Sequence, residues 1–246
     1  MRVRFHQSLG DLKEKILVMA GMAEQSIERA IEAYRTRDLA LADLVEHSEV
    51  AINRYEREID QMALDLLAME QPMAIDLRFI LAVIKINADV ERVGDSAVNI
   101  VERVREMQAF PTADLPVDIP RIAALATDMM RRALQSFVEG DADAAEKVLT
   151  LDDAVDQLNG SAYFALLNVM REQPHLTPQA LNALVIARSL ERVADHATNI
   201  AEDVIFWIRG ADVRHYVPPT IPIPVSRIDS IMNGAESQPG DSQPTN

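Results

Sequence analysis

Apolar residues recur at steps of three and four along the first part of the chain, which is the spacing of one face of an amphipathic helix. The first run comprises Phe5, Leu9, Leu12, Ile16, Met19, Ala23, Ile27, Ala30 and Tyr34. Asp38 is placed to cap a second helix, and Pro72 to end it, because proline lacks the backbone donor that a helix interior needs. A third helix is predicted from about residue 73 to about residue 107.

The second half of the chain follows the same plan. Three prolines mark the linker that precedes it, Pro111, Pro116 and Pro120. Three helices are then predicted, over residues 121–138, 141–170 and 178–209. We expect Gly140 to end the first of them and Asp141 to cap the second. Thr177 is expected to cap the last helix and Gly210 to end it.

The two halves are also related in sequence. Residues 89–100 align with residues 189–200, with identities at Glu, Arg, Val, Asp, Ala, Asn and Ile, and residues 49–53 align with residues 152–156. An offset of about 100 residues indicates a domain duplication. The predicted fold class is therefore all-α, with two tandem, pseudo-symmetric three-helix bundles.

The predicted domain boundaries follow from these elements. The first bundle is expected at residues 1–110, the linker at 111–120 and the second bundle at 121–215. Residues 216–246 are dominated by Pro, Ser, Gly and Gln and cannot bury enough apolar surface to order themselves, so a disordered tail is predicted.

Composition and charge exclude several classes of protein. The absence of cysteine excludes disulfide frameworks, thiolate metal sites and a cysteine nucleophile. The net charge of −15 disfavours direct binding to nucleic acid or to an anionic membrane surface, and it favours protein partners or multivalent cations. No segment approaches the roughly 18 uncharged residues of a membrane span, and the N-terminus lacks the apolar run of a signal peptide. A soluble, cytoplasmic protein is the expectation.

Acidic residues lie in lines beside the apolar faces of four predicted helices. Because successive helical residues are about 100° apart, residues spaced by four and seven share a side of the helix. On the second and fifth helices these lines contain Glu49, Asn53, Glu56, Asp60, Asp152 and Asp156. On the third and sixth helices they contain Glu91, Asp95, Glu102, Glu191, Asp195 and Glu202. Packing the helices together would bring four or more carboxylates face to face in each bundle.

Facing carboxylates in a partly desolvated groove must be neutralised by protons, by arginine side chains or by metal ions. All-oxygen ligand sets suit hard cations such as magnesium, manganese or ferric iron. A single acidic line is usually just a solvated helix face with ordinary ion pairs. Recurrence of the pattern on two helices of each half, beside the apolar stripe, favours metal binding instead.

Other polar residues receive structural interpretations. Asn99 and Asn199 follow the acidic motifs by one turn and are expected to pin neighbouring backbone, whereas His196 is expected at the edge of the bundle. The segment from Glu172 to His175 has the spacing of a ferritin-type ligand pair, but the intervening proline breaks the helix that such a pair requires. The sequence contains no phosphate-cradling glycine loop, nucleophile elbow or HExxH motif, so no enzymatic activity is predicted.

The doubled motif resembles that of a known family. Residues 71–78, Gln-Pro-Met-Ala-Ile-Asp-Leu-Arg, together with residues 89–95, Asp-Val-Glu-Arg-Val-Gly-Asp, resemble the first-repeat signature of the PhoU family of phosphate-transport accessory and regulatory proteins. Residues 190–202 resemble its second-repeat signature. The resemblance covers about residues 5–216, leaving the tail outside it.

This resemblance implies E(D)xxxD motifs that hold multinuclear metal clusters, with iron, manganese or magnesium as the candidate ions. Carried over by position, the ligands are Glu49, Asn53, Glu91, Asp95, Asp152, Asp156, Glu191 and Asp195. Because Asn53 is neutral, the first cluster is expected to be weaker or smaller. Ala194 stands where the first repeat has Gly94, which is expected to restrict how closely another helix approaches.

The resemblance also implies a function. Proteins of this kind link the ATP-binding subunit of the high-affinity phosphate ABC transporter to a sensor histidine kinase, and they keep the phosphate-starvation response off when phosphate is plentiful. The chain would then meet the inner membrane only through its partners and would not contact nucleic acid directly. The sequence leaves open whether it forms a homodimer.

Two alternatives of other classes stay open at this point. One is a carboxylate-bridged metalloenzyme of the ferritin-like type, against which the missing helical ExxH pairs count. The other is a purely structural helical scaffold whose carboxylates remain solvated. Metal analysis separates the scaffold from the other two.

Overall fold

The computed structural model describes residues 2–70, 72–211 and 213, with side chains for all of these except 2–4, 69 and 70. The predicted tail, 216–246, lies outside the described residues. Seven α-helices and one short 3-10 helix, Pro174–Leu176, make up the described chain. The helices are α1 (Arg2–Thr36), α2 (Leu39–Glu70), α3 (Ile75–Met107), α4 (Ile119–Glu139), α5 (Ala142–Leu149), α6 (Asp152–Glu172) and α7 (Thr177–Arg209).

The first half is a three-helix bundle in which α1, α2 and α3 all pack against one another. Asp38 caps α2 as predicted, since its Oδ1 accepts a hydrogen bond of 2.9 Å from the backbone N–H of Ala40. The apolar residues of the predicted periodicity are buried, among them Leu12, Ile16 and Met19 of α1. Most of the stability of these helices comes from packing of these apolar faces rather than from helix propensity.

The second half departs from the prediction at its middle helix, which is interrupted at Thr150 and Leu151. The backbone N–H of Leu151 bonds to the carbonyl of Val148 at 2.9 Å, which is the tighter spacing of a 3-10 turn. The Thr150 hydroxyl donates to the Lys147 carbonyl at 2.8 Å and competes with the helical ladder. The predicted continuous helix over 141–170 is therefore wrong, and the segment consists of α5 and α6.

This interruption changes how the second bundle packs. Helix α5 contacts both α4 and α7, whereas α6 packs mainly on α7 and touches α4 only slightly. Helix α4 has 21 residues and α7 has 33, so α4 is too short to cover the whole of α7. The new N-terminus of α6 falls at Asp152, where the helix dipole favours a carboxylate.

Most of the predicted helix ends are confirmed. Gly140 and Gly210 adopt left-handed conformations, with φ of 66° and 70°, that end α4 and α7. Asp141 caps α5 by accepting from the N–H groups of Asp143 and Ala144. Thr177 was expected to be a cap, but it already has helical backbone angles. The 3-10 turn supplies the missing bonds, because the N–H of Thr177 donates to the carbonyl of Pro174.

The two halves join through α3 and α7, which make the most extensive helix–helix contact within the described residues. The helices run antiparallel, as the cross-contacts show. Lys85 lies 2.5 Å from Asp203, and the later Asp89 lies 2.9 Å from the earlier His196. All the described residues consequently form one compact unit that contains both bundles.

An aromatic cluster closes one end of this seam. The Trp207 ring lies 4.9 Å from the ring of Phe79 and 5.7 Å from that of Phe137, measured between centroids. Phe137 is fully buried. No helix within the described parts of the chain has the length and apolar character needed to cross a bilayer.

Candidate metal centres

The first candidate centre, which we call the first cluster, lies where α2 faces α3. It contains the predicted residues Glu49, Asn53, Glu91 and Asp95, together with Glu56 and Asp60 of α2. Close packing of the two helices depends on Gly94, because a Cβ at that position would lie 3.0 Å from Cδ1 of Ile52. The corresponding positions of the second half hold Ala194 and Val155, and valine is one methylene smaller than isoleucine.

The carboxylates of this first cluster repel one another. Burial raises the pKa of Glu91, and the nearby charges of Asp95, Glu56 and Glu49 raise it further, against a smaller opposing effect of Arg92. Burial likewise raises the pKa of Glu56, and Asp60 adds to the effect. The structure therefore brings the carboxylates of α2 and α3 within electrostatic reach of one another.

Asn53 contributes differently from its charged neighbours. Its Nδ2 donates a hydrogen bond of 3.1 Å to Oε1 of Glu49, one turn earlier on α2. Its Oδ1 is buried and has no hydrogen-bond partner. An amide oxygen is a suitable ligand for a hard cation, so the residue retains ligand capacity although it adds no negative charge.

The second candidate centre, the second cluster, lies where α6 faces α7. It contains the predicted Asp152, Asp156, Glu191 and Asp195. Burial raises the pKa of Asp152, of Glu191 and of Asp195, and in each case at least one carboxylate of the same cluster raises it further. Asp152 occupies the first position of α6, so the interruption of the helix puts this carboxylate at a helix N-terminus.

Buried oxygens without partners provide the test of whether these residues suit a metal ion. Oδ1 of Asp152 and Oε2 of Glu191 are both buried and accept no hydrogen bond, although Oε1 of Glu191 accepts one of 3.0 Å from Arg188. An unsatisfied buried polar atom costs about 1–3 kcal/mol, and more when it is charged. Unpaired carboxylate and amide oxygens in both clusters are the donor type that hard cations prefer.

The separation of the side chains in each cluster sets a requirement for binding a metal ion. Among the residues that the structure describes, no three carboxylate or imidazole groups converge closely enough to hold one ion together. The side chains of each cluster would have to rotate toward one another to share an ion. Bringing the carboxylates closer together increases the mutual repulsion that already raises their pKa values. A bound cation would offset that repulsion.

Two residues of the first cluster and one that supports it were missing from the predicted ligand set. Glu56 and Asp60 extend the line of Glu49 and Asn53 along α2, and that continuing helical spacing was the available signal. The amide of Asn87 donates 2.9 Å hydrogen bonds to the Glu56 carbonyl oxygen and to Oδ1 of Asp60. Asn87 is buried and fixes α2 against α3, a role that no spacing rule reveals.

His196 is not at the edge of the bundle as expected. It is buried in the seam between the halves, where its Nδ1 lies 2.9 Å from Oδ1 of Asp89. Asn199 was expected to pin neighbouring backbone, but it donates to the same Asp89 side-chain oxygen at 3.2 Å and so joins α7 to α3. Asn99 instead donates to the Asp95 carbonyl of its own helix at 3.0 Å. The error over His196 arose because the prediction treated the bundles separately.

Comparison with known proteins matches both repeats. The model of the PhoU domain matches residues 16–104 and again residues 119–204. The chain is 37% identical over 215 residues to a phosphate-specific transport system accessory protein PhoU homolog of Pseudomonas aeruginosa, covering 86% of this chain and 88% of the relative. It is 30% identical over 234 residues to the phosphate-specific transport system accessory protein PhoU of Escherichia coli, covering 95% and 94%.

Two solved structures superpose on this chain. The crystal structure of PhoU from Pseudomonas aeruginosa superposes with a TM-score of 0.81 at 35% identity, covering 84% of this chain and 100% of that chain. The crystal structure of the phosphate transport system regulatory protein PhoU from Streptococcus pneumoniae gives a TM-score of 0.79 at 25% identity, covering 85% and 99%. The fold predicted from the sequence is confirmed.

Proposed function

The chain belongs to the PhoU family, and from that membership we propose that it is a negative regulator of the phosphate-starvation response and a modulator of high-affinity phosphate uptake. The observation that carries the proposal is the match of both repeats to the PhoU domain, over 16–104 and 119–204. The names of the relatives, accessory proteins of the phosphate-specific transport system, support a role in the same process.

We further propose that the chain acts as an adaptor between proteins. Its partners would be the ATP-binding subunit of the phosphate ABC transporter and a sensor histidine kinase, which would hold it at the inner face of the membrane. Its net charge of −15 supports protein contact over direct contact with nucleic acid. The long helices of both bundles offer extended faces for such contacts.

Metal binding is the third part of the proposal. Glu49, Asn53, Glu91 and Asp95 would hold an ion in the first cluster, with Glu56 as an additional ligand. In the second cluster the ligands would be Asp152, Asp156, Glu191 and Asp195. A bound iron, manganese or magnesium ion would supply positive charge that neutralises the facing carboxylates. The side chains themselves would then crosslink α2 to α3 and α6 to α7.

A gene deletion tests the regulatory role. In cells grown with abundant phosphate, deleting the gene should switch on a reporter driven by a phosphate-starvation promoter and should increase phosphate uptake. Wild-type protein supplied from a plasmid should restore repression. Normal repression in the deletion strain would contradict the proposal, once the genome has been checked for a second copy.

The same strain tests whether the clusters contribute. A double substitution, Asp156→Asn with Asp195→Asn, should complement poorly if metal is needed for regulation. Asp65→Asn is the matched control, because Asp65 is an exposed carboxylate of α2 whose hydrogen-bond partner is Gln61. Immunoblotting for equal protein levels separates loss of function from loss of protein.

A further inference from the structure

The seam between the halves is asymmetric, although the halves are duplicates. Positions 89 and 189 correspond, as do 96 and 196. On one side of the seam Asp89 and His196 bridge α3 to α7 at 2.9 Å. On the other side the equivalent residues are Ser189 and Ser96, whose hydroxyls donate to carbonyls of their own helices at 3.1 Å and 2.9 Å.

Ser189 lines a groove that we call the seam groove, with a volume of about 600 Å³. Three helices border it, through Asn99 of α3, Gly160 and Tyr163 of α6, and Arg188 and Arg192 of α7. It is distinct from the second cluster in composition, since no carboxylate lines it. Duplication followed by divergence has therefore given the two equivalent places different lining residues.

Charge in the seam groove is opposite to that of the protein. Its two charged lining residues, Arg188 and Arg192, are both arginines in a chain with a net charge of −15. Arg188 shares its charge with Glu191 at 3.0 Å, and its side chain is 67% exposed. No carboxylate of the described residues lies within 4.0 Å of the Arg192 guanidinium.

An apolar ridge extends from the seam groove along α6 and α7. Phe164 is 68% exposed and contacts the ring of Tyr163, which lines the groove, at a centroid distance of 5.4 Å. Leu167 lies one turn beyond Tyr163 on α6, and Leu181 lies one turn before Val185, another lining residue, on α7. Exposed aromatic and aliphatic side chains beside a charged rim are typical of a protein-docking surface.

We propose that the seam groove and its apolar ridge bind an acidic amphipathic helix of a partner protein. The apolar face of that helix would lie on Phe164, Leu167 and Leu181, and its carboxylates would pair with Arg188 and Arg192. A small anion would leave the ridge uncovered, and a basic helix would place like charges together. This inference rests on the proposed adaptor function, because that function supplies the natural partner.

The equivalent surface of the first half is unsuitable for the same ligand. There Asp60 and Gln61 stand in place of the aromatic residues Tyr163 and Phe164, although Arg57, Lys85 and Arg92 keep the surface basic. Without the aromatic ridge, that surface offers little for the apolar face of a helix to cover. The proposal therefore predicts a single docking site for such a helix in each chain.

Designed peptides test the site without knowledge of the natural partner. The probe is a fluorescent amphipathic helix of about 18 residues, five turns, with leucine on one face and glutamate at its borders. A second peptide carries lysine in place of glutamate. Fluorescence anisotropy should show tighter binding of the glutamate peptide, although the protein's net charge of −15 favours the lysine peptide. Equal or tighter binding of the lysine peptide would overturn the proposal.

Two glycines provide a blocking variant and its matched control. A Cβ added at Gly160 or at Gly21 would meet no atom within 4 Å, so either helix accepts a larger side chain. Gly160→Leu places that side chain in the seam groove and should weaken binding of the glutamate peptide by about tenfold. Gly21→Leu, on α1, should leave it unchanged. Unchanged binding by Gly160→Leu, at a melting temperature no lower than that of wild type, would overturn the proposal.

Charge reversal and competition complete the test. Arg192→Glu should reduce the preference for the glutamate peptide over the lysine peptide, and an unaltered preference would overturn the proposal. If the occupant were a second copy of this chain, Gly160→Leu would shift the oligomeric state in sedimentation, which would also overturn it. Peptide binding is measured with purified protein, so its failure can be told apart from failure of the phosphate reporter.

Discussion

Substituting Glu191 by glutamine should stabilise the metal-free protein while weakening its response to metal. The Glu191 side chain is only 12% exposed, and its Oε2 is buried without a partner. Burial raises its pKa first, and the charges of Asp195, Asp156 and Asp152 add to that effect against the opposing charge of Arg188. The ionised form is therefore less favourable in the folded chain than in the unfolded one.

The size of the stability change follows from two opposing effects: the buried charge that is removed and the ion pair that is weakened. An unpaired buried polar atom costs about 1–3 kcal/mol, and more when charged. Glutamine keeps the shape and removes the charge. It also weakens the pairing with Arg188, which is largely exposed and is worth about 0.2–1 kcal/mol. We therefore expect the free energy of unfolding of the metal-free protein to rise by about 1 kcal/mol at neutral pH.

The stability gain of Glu191→Gln must increase as the pH rises from about 4 to neutral. Because the folded-state pKa of Glu191 is raised, wild type avoids the penalty below the pKa of the unfolded chain, about 4.3, and bears it in full above the folded-state pKa. The difference between Glu191→Gln and wild type should consequently be largest at neutral pH and disappear toward pH 4. Urea unfolding followed by far-ultraviolet circular dichroism, after treatment with a chelator, measures it.

Glu58→Gln is the control, because the pKa of Glu58 is shifted in the opposite direction to that of Glu191. The hydrogen bond from Lys15 lowers the pKa of Glu58, so Glu58→Gln should bring no gain in stability at neutral pH.

When metal is restored at about 100 times its dissociation constant, wild type should gain about 2.7 kcal/mol, and Glu191→Gln should gain less. A metal-free Glu191→Gln protein that is less stable than wild type at neutral pH would refute the reasoning.

Three further predictions concern the first cluster and the packing. Asn53→Asp should increase the metal content of the first cluster, measured by elemental analysis, because it adds a charged ligand; no increase would contradict the assignment of Asn53. Phe137→Ala should lower the free energy of unfolding by about 3–5 kcal/mol in urea melts, because it leaves a cavity in the aromatic cluster; a loss below about 1 kcal/mol would contradict that packing. In Gly94→Ala the contact with Ile52 should offset the gain of about 1 kcal/mol in helix propensity, and Ile52→Val in the same chain should release that gain; purely additive effects would show that the contact is absent.

Local signals in the sequence were sufficient for most of the fold. Helix caps depend on one or two neighbouring residues, so Asp38, Gly140 and Gly210 could be assigned from sequence alone. The break at Thr150 and Leu151 could not, because both residues are tolerated inside helices. The interruption separates α5, which packs on α4 and α7, from α6, which packs mainly on α7.

The candidate ligands were predictable for a similar reason. Carboxylates spaced by four residues share a helix face, and the duplication repeats that spacing in both halves. Residues whose roles depend on contacts between helices were not predictable. Asn87 reaches from α3 to α2, and His196 meets Asp89 across the seam, at a separation of 107 residues along the chain.

Metal content is the most direct test of the claim that the two carboxylate clusters bind metal ions. The protein should be purified without a metal-binding tag or chelator and analysed by inductively coupled plasma mass spectrometry, beside the variant Asp156→Asn with Asp195→Asn. We predict that wild type carries iron, manganese or magnesium and that the variant loses the share held by the second cluster. Wild-type protein without bound metal, or a variant with the same metal content as wild type, would contradict the claim.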